Sequence, residues 1–173
     1  MSGSCHSHGP VEAVSDARTA ADEARDALLA EVCGLGATMS AAMDAQPGFV
    51  PCGHAFSNLI EGLYASAACE DADVLADIAQ GVRGRSGHVA GHRGVAMGEA
   101  RLAEPTTPEA ALLLAAIRGI SADAYAGMRR GRMSDEVNVL LANALRALGE
   151  GTVDHDFLTR AGAAALKARE LAR

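Results

Sequence analysis

Five glycines, Gly84, Gly87, Gly91, Gly94 and Gly98, follow one another at intervals of 3, 4, 3 and 4 residues. On an α-helix that spacing lines all five along one stripe. A glycine inside a helix costs roughly 1 kcal/mol relative to alanine, so the full stripe costs about 5 kcal/mol, comparable to the net stability of a small domain. Something must offset it. Close packing of another helix against the bare backbone, within the chain or across a two-fold axis, is one resolution. A Gly-rich loop is another, its amides and the guanidinium groups of Arg83, Arg85 and Arg93 facing a small anion. No G-x-x-x-x-G-K-[ST] pattern and no preceding strand support a phosphate loop of known type. The spacing leaves open whether a helix runs unbroken across Gly84 to Gly87.

The rest of the composition favours helices. Aromatic residues make up only 3% of the 173, while Ala, Leu and Val dominate, which suits helices packed through small side chains and leaves little for strands. One domain is the expectation at this length. We therefore expect an all-α, single-domain bundle of about five long helices over residues 11–173, preceded by a flexible polar tail at 1–10. With a net charge of -7 and no Trp, neither a phosphate-neutralising patch nor stacking platforms are visible, so nucleic acid is not an expected partner. No uncharged run approaches the ~20 residues of a membrane span, and the first residues lack the pattern of a signal peptide. No membrane partner and a cytoplasmic location follow as expectations, with the cysteines reduced.

Apolar periodicity predicts a first helix over Val11–Cys33, stopped by Gly34 and Gly36, and a shorter helical piece over Ala37–Ala45. Two prolines and two glycines between Gln46 and Gly53 predict a loop. A second long helix is expected over His54–Cys69. The third begins near Asp71, enters the glycine stripe and ends before Pro105. Thr107 as N-cap and Pro108 at the first helical position open the fourth, which runs to about Arg130. Ser134 opens the fifth, with Gly149 as its stop, and the last spans Asp154–Leu171.

Five of the six histidines fall into two groups: His6, His8 and His54 in segments that also carry Cys5 or Cys52, and the pair His88 and His92. Thiolate and imidazole together are the ligands preferred by Zn(II) and Cu(I). In the tail Cys5 and His8, with Cys52 and His54 after the proline loop, make up a two-Cys two-His set. The pair His88-x-x-x-His92 shares a helix face, and Glu99, if the helix continues, falls on the same face within about 20°. His54 and Glu61 share a face of the second helix in the same way. Facing one another, the two stripes would offer three imidazoles and two carboxylates. The paired Glu-x-x-His of di-iron bundles is absent. Cys33 and Cys69 sit beside apolar helix positions and read as packing thiols. No nucleophile motif appears, so catalysis is left open and no catalytic residue is assigned.

The first functional expectation is a metal-binding helical bundle using His and Cys ligands for zinc or copper, in metal handling or as a small metalloenzyme. The alternatives are a non-catalytic assembly subunit, a homodimer or other homo-oligomer joined through the small-residue stripe, and an enzyme or sensor for a small anionic metabolite.

Overall fold

The computed structural model describes residues 18–102 and 104–173. These fold into six helices, α1 (Ala20–Ala45), α2 (Gly53–Ala68), α3 (Ala72–Arg93), α4 (Pro108–Met128), α5 (Asp135–Glu150) and α6 (His155–Ala172), and no strand forms among them. The chain is all-α, as its composition predicts. Local chemistry starts most of the helices: Thr19, Asp71, Thr107, Ser134 and Asp154 each accept a hydrogen bond from a first-turn amide. At α1 the cap is reciprocal, because Asp22 also accepts from the Thr19 hydroxyl and amide. Those two hydrogen bonds hold the Asp22 carboxyl below its ordinary pKa.

Helices α1 and α3 run parallel, joined at one end by Arg25 donating to the Cys69 carbonyl and at the other by Arg93 donating to Gln46. The intervening α2 returns antiparallel to both. Its Phe56, Leu59, Ile60 and Leu63 enter a shared core with Leu28, Leu35 and Met39 of α1. Tyr64 stacks on Tyr125 at 4.3 Å, tying α2 to α4. Leu171 packs against Gly127, and Arg130 donates to the Ala172 carbonyl, so α4 and α6 lie parallel.

The structure revises the reading of the glycines. Gly34 and Gly36 do not stop a helix, since α1 passes unbroken through both to Ala45. They are close-approach positions instead. A Cβ on Gly36 would lie 2.8 Å from Leu145 Cβ and 2.9 Å from the Ala142 carbonyl oxygen, and one on Gly34 would lie 3.1 Å from the carbonyl oxygens of Gly98 and Glu99. The tail and residues 11–17 of the expected first helix lie outside the described residues.

Helix α3 is continuous across Gly84 and Gly87 but ends at Arg93, well short of Pro105, because Gly94 adopts φ +66° and caps it. The five glycines therefore do not share one helix. Gly84, Gly87 and Gly91 lie on α3 and are exposed, with no atom of this chain within 4 Å of a Cβ on Gly84 or Gly91. Gly98 belongs to an irregular strap that follows α3 and crosses α1. Gly149 likewise lies inside α5, against the Arg101 carbonyl, and the stop is Gly151 at φ +69°.

By mean hydropathy, 1.2 over 18 residues in each, α1 and α4 are long and apolar enough to cross a membrane, which a search for uncharged runs overlooks. Of the α1 window 61% is buried inside the bundle, so the core accounts for its apolar character. The α4 window is 33% buried, and Leu112 stands 59% exposed on its outer face.

Candidate functional site

The loop between α1 and α2 turns at Gln46, whose carbonyl accepts from the Phe49 amide at 2.9 Å, with Gly48 at φ +85°. Buried Pro51 then delivers Cys52 to the N-cap of α2, where its side chain makes no capping hydrogen bond. Opposite stand the last two turns of α3. Their i, i+4 spacing places His88 and His92 side by side, ring planes 1° from parallel and centroids 6.1 Å apart. Arg93 lies with its guanidinium 3.5 Å from the Phe49 ring centroid and closes one side. Between loop and helix is a cavity of about 150 Å³, lined by Phe49, Pro51, Cys52, His88, Val89 and His92 with Arg93 beside them. Cys52 and both histidines are exposed at its mouth, whereas Pro51 and Val89 form a buried apolar floor.

The other expected ligands are elsewhere. His54 and Glu61 are exposed on the outer face of α2, whose inner face is committed to the core, so they do not face the α3 histidines. Glu99 is on the strap, not on α3, and lines a separate cavity with Cys33, Arg101 and Arg146. Cys5 and His8 lie outside the described residues. Among the described residues no three His, Cys, Asp or Glu side chains stand grouped closely enough, as oriented, to hold an ion. The three arginines of the anion reading do not converge either. Arg83 is exposed, Arg85 donates to Asn58 Oδ1 at 2.8 Å, and Arg93 is engaged with Gln46 and Phe49.

Two further features escape the sequence patterns. Phe49 serves as a platform for Arg93, which no local motif announces. Away from the cavity that Phe49 lines, Asn143, Arg146 and Arg160 line clefts between α5 and α6. The one hint is that Asn143 and Arg146 interrupt the apolar run that begins at Val139 of α5.

Cys33 is 1% exposed, and burial pushes its thiol up from an ordinary value of 9.0 to about 12. Because the folded state holds this proton more tightly, the contribution to stability is complete below pH 9.0 and is lost as pH rises toward about 12. Alkylation with iodoacetamide at pH 8.5 is therefore expected to modify Cys52 while sparing Cys33 until the protein is unfolded. Peptide mapping by mass spectrometry reads the result, and equal labelling of the two in native protein would contradict the burial of Cys33.

Compared with known protein families, characterised proteins and solved structures, the chain matches none.

Proposed function

We propose that this helical bundle binds a soft or borderline metal ion, Zn(II) or Cu(I), through His88, His92 and Cys52, and serves in metal handling. The observation that carries the reading is the shared cavity of about 150 Å³, which brings the one i, i+4 histidine pair of α3 and the unengaged Cys52 thiol to one opening. Two imidazoles and one thiolate form a donor set suited to these ions. All three side chains are exposed, so they are free to change rotamer on binding an ion. With three protein ligands, a tetrahedral ion would take its fourth ligand from water or a small anion. A thiolate ligand requires a reducing compartment, in keeping with the cytoplasmic expectation.

Elemental analysis of untagged protein is expected to find about one zinc or copper per chain, bound with proton release from the thiol. Combined His88→Ala and His92→Ala, or Cys52→Ser alone, should abolish stoichiometric binding with helix content unchanged. His54→Ala should not. Metal content unaltered in the double variant overturns the reading.

A second reading, assembly through α3, is favoured by one observation. Gly81, Gly84 and Gly91 are exposed and have no neighbour in the chain within 4 Å of a Cβ position. A second copy covering this face would supply the contact that offsets their cost.

A further inference from the structure

Helices α5 and α6 diverge into two adjoining cavities of about 230 and 210 Å³ that share Asn143 and Arg160 as the ridge between them. The first is polar and includes Arg146, Glu150 and Thr152. The second is walled by Val139, Leu140, Ala163 and Ala164, with Glu136 at its edge. We infer that this cleft binds a small amphipathic carboxylic acid, its carboxylate on Arg160 and Asn143 and its short apolar body along Leu140 and Ala163.

The inference rests on which polar groups the fold has already used. Arg146 is compensated, donating to Asp44 at 2.7 Å and to Glu150 at 3.1 Å, and its hydrogen bond to Asp44 raises it further above its ordinary pKa. Arg160 is different. Among the described residues no carboxylate lies within ion-pair distance of it. Its guanidinium rests 4.3 Å from the Phe157 ring centroid, and Nε makes a long 3.4 Å bond to the Asp156 carbonyl. The contact with Phe157 seats the guanidinium at the cleft, and its terminal N–H groups are left for a ligand. Asn143 is oriented too, because buried Ser40 donates to its Oδ1 at 2.6 Å. The end of the amide left to the cleft is therefore its NH₂ group, a donor. A positive fork and a neutral donor side by side suit a planar carboxylate. The neighbouring wall of Val139, Leu140, Ala163 and Ala164 is apolar and favours a ligand with an apolar tail, and Glu136, the carboxylate-bearing residue of this lining, disfavours a second negative charge on it.

Thermal melting and calorimetric titration of the full chain with sodium hexanoate test this, with hexanol lacking the charge and inorganic phosphate lacking the tail. The expected result is a saturable rise in melting temperature with hexanoate, a much weaker response to hexanol and none to phosphate. Arg160→Gln should weaken hexanoate about tenfold or more, in line with the loss of one charge-assisted contact. Ala163→Leu, filling the apolar half at an exposed position, should weaken it comparably. Arg169→Gln, farther along α6, should leave it unchanged. Circular dichroism checks that each variant is folded. No saturable response of the wild type to hexanoate overturns the inference, as does undiminished affinity in Arg160→Gln or binding of phosphate as tight as that of hexanoate.

Discussion

Gly98→Val is expected to lower the melting temperature by about 5–15 °C, the largest loss expected from a single substitution in the strap. A Cβ at this position would stand 2.4 Å from the Gly34 carbonyl oxygen and 2.8 Å from Ala37 Cβ, so either the strap or α1 must move. Helix α1 is poorly able to yield. The Gly34 oxygen lies in a helical backbone and also accepts from the Thr38 hydroxyl at 2.8 Å. Strap movement has its own cost, because the Gly98 amide donates to Thr38 Oγ1 at 2.8 Å. With its one proton committed to Gly34, the Thr38 hydroxyl is the acceptor at 2.7 Å from Ser86 Oγ, so Ser86 is the donor there. Thr38 and Ser86 are both essentially inaccessible, and water cannot replace a lost partner without opening the contact. Overpacking of about 1–3 kcal/mol, with about 1 kcal/mol for the strained hydrogen bond, gives the expected loss at roughly 2–4 °C per kcal/mol for a chain of this size. Differential scanning calorimetry checks it. A wild-type melting temperature for Gly98→Val would mean that the strap is not seated on α1.

The same contact explains which parts of the fold were legible in the sequence. Most helix starts were, because a cap is decided by residues a few positions apart: Thr107 with Pro108, and Ser134 ahead of an acidic turn, open helices where expected, whereas α1 opens at Thr19 and not at Val11. Glycine was not. In this chain it caps helices at Gly94 and Gly151, permits backbone contact at Gly34, Gly36 and Gly98, and stands bare at Gly84 and Gly91. What separates these roles is a neighbour remote in sequence, as Leu145 is for Gly36. The candidate metal pocket was legible to a similar depth. His88 and His92 share a face because of helical periodicity alone, which required only that α3 form. Glu99 fell away once Gly94 ended that helix, and His54 did so because the inner face of α2 is taken by Phe56, Leu59, Ile60 and Leu63. The Arg160 cleft left only a faint sequence signal in the polar Asn143 and Arg146, since its shape depends on how α5 and α6 pack.

Replacing Gly81, Gly84 and Gly91 together by alanine is expected to raise stability by about 1.5–3 kcal/mol and the melting temperature by roughly 3–12 °C. None of the three has the positive φ that would strain an alanine, and none has an atom within 4 Å of the new methyl group. Alanine therefore removes backbone freedom from the unfolded chain and adds nothing that clashes in the folded one. Gly87 is left in place because Met97 Sδ would lie 3.7 Å from its Cβ, an ordinary contact that adds a packing effect of its own. The sign of the change separates the isolated bundle from the assembled one. Should a second copy cover this face of α3, three added methyl groups would overpack the joint, lower the melting temperature and convert a dimer to monomer. Light scattering coupled to size-exclusion chromatography, run beside the melts, distinguishes the outcomes. The substitutions leave His88, His92 and Cys52 in place, so the metal content of the triple variant should match that of the wild type if the pocket acts within one chain. A stabilised monomer that keeps its metal would assign the α3 glycines no partner and leave their cost offset by the core beneath them.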